Sequence, residues 1–155
     1  MKQLVSGHVR ILLMKPRLSK AASQLRLQID DSFADRDRTS DGWVGDTRHN
    51  RTVSDHNPDD QGWVRAIDID ADLSKQKGQS VYLADKIRLA AKNGERRITY
   101  VIHMGKIASS KKRWAWRDYK GSNNPHNHHI HISFAKEADN DGEFFQIPML
   151  GGKDE

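Results

Sequence analysis

Apolar positions recur along this chain at two different periods, and the switches between them mark the elements. Leu18, Ala22, Leu25, Ile29 and Phe33 repeat at helical spacing, and Ser19 is placed to cap the start of that helix. Residues 80–93 repeat the pattern with Leu83, Ala84, Ile87, Ala90 and Ala91, and Gly94 supplies the stop. Elsewhere the period is two. Residues 63–72 put Val64, Ala66, Asp68 and Asp70 on one side of a strand, with Arg65, Ile67 and Ile69 on the other. Ile98–His103 reads as a further strand, Met104 and Gly105 as a turn, and Lys106–Ser109 as its return. In the last alternating run Ile130, Ile132 and Phe134 share one face, and His129, His131 and Ser133 the other.

Between these elements the polarity rises. Residues 35–60 form a long polar segment with Asp-Gly and Asn-Pro turn signals, anchored by Trp43, Val44 and Val53. A loop of that length in a compact domain is expected to be ordered for function. Residues 1–16 read as a short strand or an arm. Residues 111–120 are basic and aromatic; Trp114, Trp116 and Tyr119 are expected to pack on the sheet. Residues 144–150 are expected to return to the core. The pattern predicts a single α+β domain over residues 1–155, with its core at about 18–134 and an extension over 135–155. Its architecture is a small, mainly antiparallel sheet with helices on one side, closed by the histidine strand.

Composition narrows the chemistry. There is no cysteine, so a metal has to be held by histidine and carboxylate. Four of the eight histidines lie between 126 and 131. On a strand, His129 and His131 would project from one face roughly 7 Å apart. That density points to a metal or catalytic site. A catalytic zinc takes three protein ligands and one water. The chain offers His56 from the polar loop, Asp68 or Asp70 from the next strand, and His131, with His129 or His126 beside them as base. Net charge is +5, which suits a polyanionic partner such as nucleic acid, an anionic membrane or a bacterial wall. No apolar run approaches a membrane span, and Ile11 to Met14 is too short for the core of an export signal.

Particular residues carry a resemblance. Ser54-Asp55-His56, Gly62 and Ala66-Ile67-Asp68 resemble the Ser-x-His-x-x-Gly-x-Ala-x-Asp element of the zinc D-Ala-D-Ala carboxypeptidases and L-alanyl-D-glutamate endopeptidases, the LAS metallopeptidase group. That group also takes in the penicillin-insensitive murein endopeptidases and the hedgehog signalling domain. His129-x-His131 matches its second signature, and His126-x-x-His129-x-His131 is similar to the triple histidine of the murein endopeptidases. The run from Ser40 through Gly45-Asp46 to Pro58 looks like peptidase domains of phage endolysins. The resemblance covers roughly residues 20–134.

It implies a LAS/hedgehog-like fold, one zinc ion on His56, Asp68 and His131, and His129 and His126 beside the metal as base or transition-state stabilisers. Two departures stand out. Eleven residues separate His56 from Asp68 where the element has six, which leaves Asp70 as a competing ligand. His128 occupies the place of the carboxypeptidases' Glu or Asp, so the base is His129, His126 or His128. Ser54, Arg51 and Arg48 are candidates for substrate binding, the arginines through bidentate contact with a carboxylate. His49 and His103 are expected to be structural or supporting.

The implied protein is an endolysin-like zinc peptidase, a monomer that binds no nucleic acid. It would not insert into a membrane, although its charge leaves an anionic surface open; it would be made in a host cytoplasm and act on bacterial peptidoglycan, on an internal L-Ala-D-Glu bond or a cross-bridge ahead of a terminal D-Ala. Two other readings compete. Asp55-His56-Asn57-Pro58 has the look of an HNH nuclease core, but that fold needs an Asn and a His on a following helix, and residues 80–93 contain no histidine. A non-catalytic zinc-binding or wall-binding module is the third; a blocked cleft would favour it.

Overall fold

The computed structural model describes residues 15–45, 54–120 and 124–151 of the 155. Arg48, His49 and Arg51 lie outside the described residues, as does almost all of the segment read as an amino-terminal strand or arm. The chain folds as α+β, with a five-stranded antiparallel sheet and two α-helices. The described elements run β1 (Arg17–Leu18), α1 (Lys20–Ser32), β2 (Trp63–Val64), β3 (Ala66–Asp70), α2 (Gln79–Lys92), β4 (Ile98–His103), β5 (Lys106–Ser109), β6 (Arg117–Asp118) and β7 (His129–Phe134). The sheet order is β3-β7-β4-β5-β6, and β1 pairs with β2 in a separate two-stranded parallel ribbon.

Local chemistry accounts for the boundaries. Ser19 caps α1 by accepting from the Ala22 amide at 3.5 Å, which satisfies one orphan donor of the first turn. Gly94, at φ +124°, follows the Asn93 cap of α2. The single strand expected over residues 63–72 is two strands. The break falls at Arg65, where the chain changes partners: Trp63–Val64 pairs with β1, Ala66–Asp70 pairs with the histidine strand, and the Arg65 amide donates to the Asp55 carbonyl at 3.1 Å, while its guanidinium reaches the buried Asp139 (2.8 and 2.7 Å) and Asp59 (2.6 Å). The histidine strand differs from expectation too. It does not close the sheet but lies inside it, paired on both sides by β3 and β4.

The interior position of β7 gives it two environments. Ile130, Ile132 and Phe134 join Ile67, Ile69 and Val101 in a core that also takes Leu25 and Ile29 of α1 and Leu83 and Ile87 of α2. Both helices therefore cover one face of the sheet. Direct pairing of Asp68 with His131 and of Tyr100 with Ser133 places polar side chains together on the opposite face. Phe145, Ile147 and Leu150 return to the core as their spacing suggested; the side-chain amide of Gln28 holds the segment by donating to the Phe145 carbonyl and accepting from its amide. Trp114 is buried and Trp116 packs against the core, its indole N–H on Asp85. Among the described residues no helix is long and apolar enough to cross a membrane.

Candidate metal centre

Three elements bring the site together at one end of β7. Asp68 comes from β3 and His131 from the facing position of β7. His56 arrives from the polar loop, which meets the sheet at Gly42 and is tied to itself at Gly45. Gly42 forms a bridge with Asp68, and the Gly45 amide donates to the His56 carbonyl at 2.8 Å. The described part of that loop thus supports the first histidine.

The ligand geometry is close to that of a tetrahedral cation. His56 Nε2 lies 3.1 Å from His131 Nδ1 and 3.3 Å from Asp68 Oδ1, and His131 Nδ1 lies 3.2 Å from the same oxygen. Ligands at about 2.0–2.1 Å around a tetrahedral zinc are spaced by roughly 3.3–3.4 Å. Each imidazole is held by its other nitrogen. His56 Nδ1 sits 2.7 Å from the Trp43 carbonyl, so that nitrogen donates there and Nε2 is left facing Asp68 and His131. His131 Nε2 lies 2.7 Å from Ser133 Oγ. Fixing the outer nitrogen in this way sets the tautomer and aim of a metal-ligating histidine.

Asp68 and Asp70 are now distinguishable. Both Asp70 oxygens are taken by backbone amides, those of Ser40 and Asp72, each at 2.8 Å. Asp68 Oδ1, by contrast, is buried with no hydrogen-bond partner among the described residues, although three imidazoles surround it. A buried carboxylate oxygen left in that state is costly without a cation or proton to satisfy it. The donor set therefore fits a divalent ion, held by His56, Asp68 and His131.

His129 and His126 stand beside this triangle. His129 Nε2 is 3.6 Å from Asp68 Oδ1, and the rings of His126 and His129 meet edge-on at 4.8 Å. His126 Nδ1 and His129 Nε2 are likewise buried without a hydrogen-bond partner. The cluster is most accessible on this side: the side chains of Asp68 and His129 are 18% and 16% exposed, against 7% and 6% for His56 and His131. His128 does not join it. That residue is exposed, and its carbonyl accepts from the Ala71 amide. This removes it from the three candidates for the base. Ser54 Oγ accepts from the His56 amide at 3.2 Å, so it shapes the turn that presents His56.

Electrostatics divide the histidines. Burial disfavours the Asp68 carboxylate, but contacts with His131 and His56 outweigh it and hold its pKa well below the usual carboxylate range. Burial also disfavours charge on His56, and there the Asp68 carboxylate prevails and raises the pKa. Burial wins at His126, where the neighbouring His131 and His129 add to it and push the pKa down to about 4; burial depresses His129 as well. At neutral pH, His126 and His129 are neutral imidazoles able to accept a proton.

Tyr100 gave little sign in the sequence, whereas His103 was expected to be structural or supporting. Tyr100 stacks on His131, with ring centroids 5.3 Å apart and planes 9° apart, and its hydroxyl donates to Asp55 Oδ2 at 2.8 Å. Its position on β4 faces the site only through the register with Ser133. His103 Nδ1 donates between the His126 and His129 carbonyls, at 2.9 and 3.0 Å, while Ser80 Oγ lies 2.9 Å from its Nε2. Met104 and Gly105, both at positive φ, give their amides to the His126 and Pro125 carbonyls. The β4–β5 turn thereby holds the segment that carries His126.

Comparison of the chain with protein-family models, with curated proteins and with solved structures returned no match.

Proposed function

We propose that this chain is a zinc-dependent peptidase of the LAS type that hydrolyses an amide bond in the stem peptide or cross-bridge of bacterial peptidoglycan. The observation that carries the reading is the convergence of His56, Asp68 and His131 on one small volume, with an unpartnered buried carboxylate oxygen at its centre. The resemblance of Ser54-Asp55-His56, Ala66-Ile67-Asp68 and His126-x-x-His129-x-His131 to the murein peptidases supplies the substrate class. The net charge of +5 suits an anionic wall.

A zinc ion at such a site lowers the pKa of its water from about 15.7 towards 7 and polarises a carbonyl. The protein's own groups supply the rest. His129, neutral and 3.6 Å from Asp68, takes a proton from the attacking water as its oxygen adds to the amide carbon. When the C–N bond breaks, the same imidazole returns that proton to the leaving amine. His126, edge-on to His129, is placed to hydrogen-bond the developing charge or share the proton. Tyr100 holds the His131 ring by stacking. Burial and the nearby Asp55 raise the Tyr100 pKa, so its hydroxyl remains a donor. Arg48 and Arg51 are proposed to bind stem-peptide carboxylates. The absence of an acidic residue at position 128 favours an internal or cross-bridge bond over a terminal D-Ala.

Release of soluble peptide from purified peptidoglycan tests this directly. Wild-type protein supplemented with zinc should release peptide, H129A should do so about 10²–10⁴-fold more slowly, and D68N should be inactive. Equal release by all three would refute the assignment.

A further inference from the structure

The five side chains of the cluster fall into two triads that share Asp68. His56, Asp68 and His131 form the first. Asp68, His126 and His129 form the second, and its three ligand atoms also lie within 4.8 Å of one another. Building on the metal reading above, we propose that the second triad is a separate and weaker cation site, and that excess zinc occupying it shuts down hydrolysis.

The donors are already arranged for it. His126 Nδ1 and His129 Nε2 are buried and unpartnered, as is the Asp68 oxygen they share. One nitrogen without a partner could be chance; two nitrogens and an oxygen converging without a hydrogen bond among them describe a ligand set. The rings stand 88° apart, so they are not stacked on one another. His126 is also held in the left-handed region at φ 60°, with its amide on Asn124 Oδ1 and its carbonyl accepting from Met104. Strain of that kind persists where surrounding structure fixes a side chain's direction. Two imidazoles and a carboxylate suit zinc, cobalt or copper.

The second site is the weaker for an electrostatic reason. Its dication faces the first across a single shared carboxylate, so repulsion offsets part of the binding, by roughly tenfold or more. His129 is also more exposed than His131. Inhibition follows from the same coordination, because the lone pairs bound to a second cation are those that accept the proton in hydrolysis.

Zinc-free protein titrated with zinc at pH 7.5, by calorimetry and by metal analysis after equilibrium dialysis, reads the stoichiometry. Two equivalents are expected, the second at least tenfold weaker, with peptide release rising through the first and falling through the second. H126Q and H129Q should each retain one equivalent, with affinity within about threefold of the wild-type first site, and thermal unfolding checks that each variant is folded. Two variants at separate positions keep the test decisive if one misfolds. Saturation of wild type at one equivalent would overturn the second site and leave the metal reading intact. No bound zinc would overturn the metal reading itself. Two equivalents persisting in both variants would place the second ion elsewhere and overturn this assignment.

Discussion

Asp68 places one carboxylate oxygen among three imidazole nitrogens at 3.2, 3.3 and 3.6 Å, and that arrangement sets the behaviour of every residue around it. The neighbouring Asp70 is a control supplied by the protein. It lies two residues away on the same strand, yet its oxygens serve backbone amides. D68N should weaken zinc binding on the order of 100-fold or more, since it removes the only anionic ligand. D70N should keep zinc affinity and instead lose about 1–3 kcal/mol of stability. Zinc titration and denaturant unfolding of the two variants separate these outcomes. The histidines predict a pH dependence for chelator-treated protein. The folded-state pKa of His126 is about 4 against an ordinary 6.5, so between those values the unfolded chain binds a proton that the folded chain refuses. Stability therefore falls as pH drops through that window. His56 has the opposite sign: its raised pKa contributes stability that is complete below 6.5 and lost as pH rises through the raised value. Unfolding midpoints should pass through a maximum near neutral pH, and a midpoint unchanged from pH 5 to 7 would contradict this division of the cluster.

At the scale of elements, β7 does two jobs with one alternation. Its even-numbered residues fill the core and its odd-numbered residues build the site, so a change on one face disturbs the other through the backbone. I132A removes a fully buried side chain in the middle of the sheet and should cost about 2–5 kcal/mol by denaturant unfolding. A cost under 1 kcal/mol would show that β7 is not the packed centre described. The alternation was legible in the sequence because a period of two needs no knowledge of partners. Ser19 and Gly94 were legible as local cap signals, and β4, β5 and the inward return of residues 144–150 as local apolar runs. Three features were not. The strand splits at Arg65 because its two halves pair with β1 and β7, and no local pattern records those partners. The interior place of β7 depends on long-range pairing with β3 and β4. Tyr100 joins the site only through register. Candidate ligands could be named from residue type and spacing; the choice between Asp68 and Asp70 required knowing which carboxylate was already occupied.

On the scale of the whole molecule, helices cover one face of the sheet and the opposite face carries the histidine–aspartate cluster. The net charge of +5 gives the protein a general attraction to an anionic wall. Attraction between exposed charges is screened by salt. Cosedimentation with purified wall should therefore weaken severalfold between 0.05 and 0.5 M salt while zinc stoichiometry stays constant, and salt-independent cosedimentation would argue for a specific binding surface instead. The central claim is that the cluster hydrolyses a peptidoglycan amide with the help of a bound cation. Mass spectrometry of purified peptidoglycan incubated with the protein, with and without chelator and after zinc is restored, tests it most directly. The account predicts new amino and carboxyl termini at one type of stem-peptide or cross-bridge bond, abolished by chelation and recovered with zinc. Folded, zinc-loaded protein that leaves walls of every stem-peptide and cross-bridge type unchanged would contradict it.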